Sequence, residues 1–166
     1  MKKFFTSLAM LGSIGLSFPA HSQMGMMGPG CGMGAGCMMG RGNGMMGMSM
    51  VRYHFVMMNG INPEYAAKEN PLQPSIQNIE KGRKLYDQNC ARCHGATGLG
   101  DGEAGKTLNP RPANIAAASK MPMATDSYLY WTIAEGGTPI GTAMPPFLET
   151  LKEEDIWKVI TYLRAL

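Results

Sequence analysis

Nowhere in the 166 residues is there a basic run interleaved with aromatics, and no glycine loop of the phosphate-cradling kind precedes a helix-forming stretch. The formal charge is only +3, and Lys2 and Lys3 supply two of those charges. No nucleic-acid partner is expected. Long hydrophobic runs are also missing: the apolar stretch from Phe4 to Phe18 falls short of the roughly 20 residues that span a bilayer, and Gly12, Ser13 and Gly15 interrupt it. Cysteine is scarce, at four. Cys31 and Cys37, separated by five residues in a glycine tract, are poorly spaced to complete a zinc cage with the second pair.

That second pair is the most informative feature present. Cys90-Ala91-Arg92-Cys93-His94 places two thiols one helical turn apart with an imidazole directly after the second. This is the attachment signature of a covalently bound haem c, with sulfurs from Cys90 and Cys93 on the porphyrin edge and His94 on the iron. A redox dithiol or half a zinc site shares the Cys-x-x-Cys spacing. The dithiol would want a preceding strand and an alternating β/α pattern, and neither is visible.

Residues 1–22 have the layout of an export signal: Lys2 and Lys3, the apolar stretch, then Ala20-His21-Ser22 with cleavage after Ser22. An uncleaved anchor is the alternative; after cleavage no transmembrane segment is expected. The remainder is long enough for one domain with extensions.

Composition divides that remainder into three zones. Residues 23–50 form a Met/Gly-rich leader, with ten methionines and ten glycines between Met24 and Met50. Ordering so much glycine is costly and almost nothing branched or aromatic is there to bury, so a disordered leader is expected. Soft sulfur ligands select monovalent copper, which makes Cys31, Cys37, Met45, Met46 and Met48 candidate copper(I) ligands; a small Cys31–Cys37 disulfide or a metal-free tail are the alternatives. Residues 51–75 form a connecting segment expected to wrap against the haem domain. Val51 to Met58 reads as a short helix ended by Asn59-Gly60, and Asn62-Pro63-Glu64 as a cap with proline at the first helical position. His54, in this segment, reads as a surface or packing histidine.

Residues 76–166 have the pattern of a helical domain. Ile79, Gly82, Leu85 and Tyr86 recur at helical spacing into Cys90. A further helix starts at Thr125-Asp126-Ser127 and stops at Gly136-Gly137, and a last one runs from about Glu153 to Leu166. The sixth iron ligand is expected to be Met144, in the proline-stiffened Gly141-Thr142-Ala143-Met144-Pro145-Pro146-Phe147 loop; Met121 and Met123 are the rivals. Met121, Pro122, Met123, Ile140 and Phe147 are expected to ring the haem edge as an apolar contact patch. Arg111, Tyr130 and Trp131 are candidates to reach a haem propionate, although a solvated arginine and two core aromatics is the simpler reading.

On these motifs residues 76–166 resemble the class I cytochromes c. The resemblance rests on Gly82 and Tyr86, Cys90 to His94 followed by Gly95, Gly98-Leu99-Gly100-Asp101-Gly102, Asn109-Pro110-Arg111-Pro112-Ala113-Asn114, Met144-Pro145, and Asp155-Ile156-Trp157 to Tyr162-Leu163. It implies an all-α fold with three to four helices around one covalently bound haem, the first and last helices crossing closely at Gly82. It also implies that the Pro112 carbonyl, or failing that Pro110, accepts the other ring N–H of His94. Lys152 departs from the pattern, in which a Ser or Thr cap is usual. Thioether attachment in such proteins is made outside the cytoplasm in bacteria, in keeping with a periplasmic location.

Histidine plus methionine would saturate the iron and leave only one-electron exchange. The expected function is therefore electron transport between a redox protein donor and acceptor, as a soluble shuttle or as the cytochrome subunit of a respiratory oxidoreductase, and not an enzyme. A copper-handling protein with an appended haem domain is the second reading. A haem enzyme or gas sensor, requiring Met144 to dissociate, is the third.

Overall fold

Ser75, Asn62, Asn114 and Thr125 each place a side-chain oxygen on an amide of a helical first turn, and these four caps punctuate the chain. The computed structural model describes residues 50–166, and the segment expected to be an export signal and nearly all of the Met/Gly-rich leader lie outside them. In chain order the helices are α1 Met50–Asn59, α2 Pro63–Ala66, α3 Ile76–Asn89, α4 Ala91–His94, α5 Ile115–Ala118, α6 Asp126–Glu135 and α7 Glu153–Ala165. Single 3-10 turns lie at Glu103–Gly105 and Thr138–Ile140. No strand occurs among the described residues, and the all-α cytochrome c-like fold holds.

The long helices begin and end where their sequence signals lie. Thr125 Oγ1 accepts from Tyr128 N at 3.2 Å to open α6, and Gly136 closes it. At Lys152 no side chain caps α7; Glu153, Glu154 and Asp155 in its first turn offset the helix dipole instead. Helix α5 and the two 3-10 turns had no comparable sequence signal, being too short for a period to show.

α3 crosses α7 at closest approach over Gly82. A Cβ there would overlap the Lys158 carbonyl oxygen and lie 2.9 Å from Tyr162 Cβ, so only glycine lets the backbones meet. Tyr86, one turn on and fully buried, packs its ring 5.3 Å from that of Tyr162. Ile156, Val159 and Ile160 on α7 and Tyr130 and Trp131 on α6 complete the core.

The segment ahead of α3 joins this core. Phe55 of α1 stacks on Trp131 at 6.0 Å, and Tyr65 of α2 lies 5.8 Å from Tyr130. Arg52 is buried, with Nη2 donating to the Gly136 carbonyl at 2.5 Å and its guanidinium 4.9 Å over the Trp131 ring.

Candidate functional site

Cys90, Cys93, His94 and Met144 share one cavity of about 440 Å³, floored by Ile133 and Leu163 from α6 and α7. That size lies within the ~300–1,000 Å³ typical of small-molecule sites. Two residues 50 positions apart in the chain thus bring an imidazole and a thioether to the same space.

On the His94 side, α4 is a separate helical turn after α3. Cys90 bridges the two by donating its N–H to Tyr86 O at 2.8 Å and accepting from His94 N at 2.9 Å. The Tyr86 hydroxyl donates to Gly95 O at 2.7 Å, tying the end of the motif to the α3–α7 crossing. The following loop folds back, Gly100 N donating to His94 O at 2.8 Å and Gly102 N to Cys93 O at 3.2 Å.

His94 Nδ1 lies 3.1 Å from the Ala113 carbonyl, which corrects the expectation for Pro112 and its fallback Pro110. The Pro112 carbonyl instead faces Gly100, where a Cβ would overlap it. The acceptor is therefore one residue further along the same loop. With Nδ1–H donating, Nε2 carries the lone pair. Burial lowers the His94 pKa, opposed by the Ala113 bond, and so favours the neutral imidazole. Burial, with Cys93 adding to it, pushes the Cys90 thiol up to about 12. A reactive thiolate at Cys90 would need the opposite shift. Among the described residues no cluster of three His, Cys, Asp or Glu side chains could hold a metal ion by itself, which removes support for zinc there.

On the Met144 side the loop is fastened through the backbone. Gly137 N donates to Met144 O at 2.7 Å and Thr142 N to Gly137 O at 3.0 Å, while Phe147 N reaches Ala134 O at 3.1 Å. A Cβ on Gly136, whose φ is +60°, would overlap the Pro145 carbonyl and come 2.6 Å from that of Met144. The Gly136-Gly137 pair, legible in sequence only as a helix stop, is also the seat of the ligand loop.

Met121 and Met123 pack against the core outside the cavity lining, leaving Met144 as the thioether within it. Of the expected apolar rim, Ile140 and Phe147 line the cavity, Phe147 as a buried residue, and Met121, Pro122 and Met123 do not. Tyr130 and Trp131 are core, Trp131 Nε1 donating to Glu135 Oε2 at 2.9 Å; Arg111 is exposed at the cavity mouth. His54 is exposed on α1. Cys31, Cys37, Met45, Met46 and Met48 lie outside the described residues.

Sequence reasoning missed Arg52 and Thr132, which also line the cavity. Arg52 Nη1 and Thr132 Oγ1 are buried without hydrogen-bond partners. The only signal was a lone cation among the apolar residues of α1, Met-Val-Arg-Tyr-His-Phe-Val-Met-Met-Asn. An apolar cavity with a thiol pair, a neutral imidazole, a thioether and unpartnered polar atoms fits a flat apolar macrocycle bearing a metal and polar substituents.

Residues 77–163 match the family described as cytochrome C oxidase, cbb3-type, subunit III. No curated protein matches the chain significantly. Among solved structures, the chain is similar to a chain of the reducing HAO-like protein complex of Kuenenia stuttgartiensis, with 25% identity and a TM-score of 0.49 over 57% of this chain and 46% of that one. It thus spans about half the length of that chain. It is also similar to cytochrome cL of the marine methylotroph Methylophaga aminisulfidivorans, with 21% identity and a TM-score of 0.41 over 71% of this chain and 68% of that one.

Proposed function

Because the chain belongs to the family described as cytochrome C oxidase, cbb3-type, subunit III, and carries a haem-binding class I cytochrome c domain, we propose that it is a periplasmic one-electron carrier with a single covalent haem c. Cys90 and Cys93 would hold the haem through two thioethers, and His94 Nε2 and Met144 Sδ would ligate its iron. The observation that carries this reading is the meeting of His94 and Met144 in one cavity with both cysteines.

Bound haem supplies one-electron exchange at its iron. The residues set the terms of that exchange. The Ala113 carbonyl orients the imidazole and raises its basicity. The Met144 sulfur favours the reduced state relative to a second histidine, and apolar neighbours such as Ile133, Phe147 and Leu163 keep water off and favour it further. Ligated by both side chains, the iron would have no position left for a substrate. The chain serves as a soluble shuttle or as the cytochrome subunit of a respiratory oxidoreductase, handing electrons between protein partners. No helix among the described residues is long and apolar enough to cross a membrane. A stoichiometric partner retained through purification would mark the subunit role.

The test is an absorption spectrum and pyridine haemochrome assay on protein exported from a strain competent in c-type cytochrome maturation. A two-thioether haemochrome and a low-spin spectrum that becomes high-spin in Met144→Ala are expected. Colourless protein, or a Met144→Ala variant with unchanged optical and redox properties, would overturn the reading.

A further inference from the structure

α1 lies wholly outside the residues that match the family, yet it sends one charged side chain to the cavity. Arg52 is 5% exposed. Its Nη2 is satisfied by the Gly136 carbonyl and its face by Trp131, but Nη1 is buried without a partner and no ion pair among the described residues includes it. Glu135, the carboxylate nearest in the chain to Gly136, is already engaged, Oε1 by Asn62 and Oε2 by Trp131. Glu135 and Tyr128 act on Arg52 electrostatically without an ion pair in contact; a buried guanidinium with no carboxylate against it is expensive, and the cost falls when an anion meets it. Thr132 Oγ1, also buried, unpartnered and on the cavity wall, offers a second donor.

We propose that Arg52 is the haem-carboxylate clamp of this protein: its guanidinium pairs with a propionate on the haem edge away from the Cys90 and Cys93 thioethers, with Thr132 as a second donor. This rests on the haem c reading above. The geometry favours Arg52 over Arg92 and Arg111, which also line the cavity but are exposed and can solvate their charge in water. Arg52 enters beside Gly136, the seat of the Met144 loop, whereas the cysteines enter from α4. Once paired, the guanidinium keeps the propionate ionised and offsets the negative charge that would otherwise favour ferric iron.

The pH dependence of the midpoint potential of the holoprotein tests this. The pyridine haemochrome is recorded first, so an absent haem is scored against the haem reading and not against Arg52. In the unaltered protein the midpoint is expected to be flat from about pH 5 to pH 8, because the paired propionate stays ionised throughout. In Arg52→Met the unpaired propionate titrates within that window and the midpoint falls as pH rises. By the alkaline end the reduction equilibrium drops by up to about tenfold, which is 59 mV for one electron. Arg52→Lys, which keeps the charge, restores most of the flat profile. A merely structural Arg52 would lower the melting temperature and leave the profile flat, and that result overturns the proposal. If Arg52→Met fails to fold, carbon-13 NMR of labelled propionates in the unaltered protein decides. One carboxylate that stays ionised below pH ~5 supports the clamp, and two that both titrate above it end it.

Discussion

The His94 turn is tied to the helical core by a buried side chain, Tyr86, in addition to main-chain hydrogen bonds, whereas the Met144 loop is held by main-chain hydrogen bonds to the end of one helix. The His94 turn hangs from Tyr86, whose ring lies in the α3–α7 crossing and whose hydroxyl reaches Gly95 O. The Met144 loop hangs from Gly136 and Gly137, with Arg52 of α1 bonded to Gly136 from outside. The first arrangement has the α3–α7 crossing behind it as well as the loop that returns to the His94 and Cys93 carbonyls. The second fails when a single glycine gains a side chain. On the proposed ligation, a site built this way would make the sulfur the ligand more easily lost and the nitrogen the better anchored one.

The harshest way to break the comparison is to damage both sides at once. Gly82→Ala would drive a Cβ into the Lys158 carbonyl, which as backbone cannot rotate away, and would pry α3 from α7. A loss of about 3 kcal/mol is expected, at the upper end for overpacking, read as a lower denaturation midpoint with both ligands affected together. Next comes Gly136→Ala, which meets the Pro145 and Met144 carbonyls and must also hold φ at +60°. Here about 2 kcal/mol is expected, and the damage should be one-sided. Reduced protein should bind carbon monoxide readily through loss of the Met144 sulfur, while the thioether haemochrome stays intact. Equal loss of both ligands would show that the two sides are not independent.

The same contrast decides what could be read from sequence. The His94 side was legible because its chemistry sits in five consecutive residues and its packing in the periodicity of α3 and α7. Met144 was legible through the prolines and glycine around it, although the hydrogen bonds to Gly137 and Ala134 that fix it join distant positions and leave no local pattern. The His94 acceptor was placed on Pro112 when it is Ala113, because a loop's carbonyl directions depend on every torsion before them. Arg52 was invisible for another reason: a lone arginine in an amphipathic helix reads as solvated, and only the fold shows it buried against Trp131. Thr132 was hidden within α6, whose residues are apolar on nearly every face.

A milder test probes the His94 side alone. Tyr86→Phe removes the hydroxyl that donates to Gly95 O at 2.7 Å but keeps the ring against Tyr162. Gly95 O still accepts from Gly98 N at 3.2 Å, so the carbonyl is not orphaned. The cost should be about 1 kcal/mol, the net worth of one hydrogen bond, in chemical denaturation of the holoprotein. Ligation should be unchanged, since the turn remains clamped by the loop returning to the His94 and Cys93 carbonyls. A Met144-type defect in this variant would mean that the two sides communicate through the helical core.

The smallest effect concerns the brace that holds the segment ahead of α3 to α7. The chain before α3 is pinned to α7 by Lys68 Nζ on Glu153 Oε1 at 2.6 Å, with the side chains 29% and 57% exposed. The bond to Lys68 holds the Glu153 carboxyl below its ordinary pKa, against a smaller opposing effect of burial. A lowered carboxylate pKa means stability that is present above the unfolded value and lost as pH falls through the folded one. Lys68→Met should therefore cost about 0.5 kcal/mol or less near neutrality, the figure being kept small because solvent screens an exposed pair, and the difference should vanish in acid. Salt should shrink it in the same way. Lys68 also lies 4.8 Å over the Tyr130 ring, a cation–π contact that acid does not remove. A stability difference that survives acidification would shift the brace from the ion pair to that aromatic face, tying α2 to the core through Tyr130 rather than to the surface of α7.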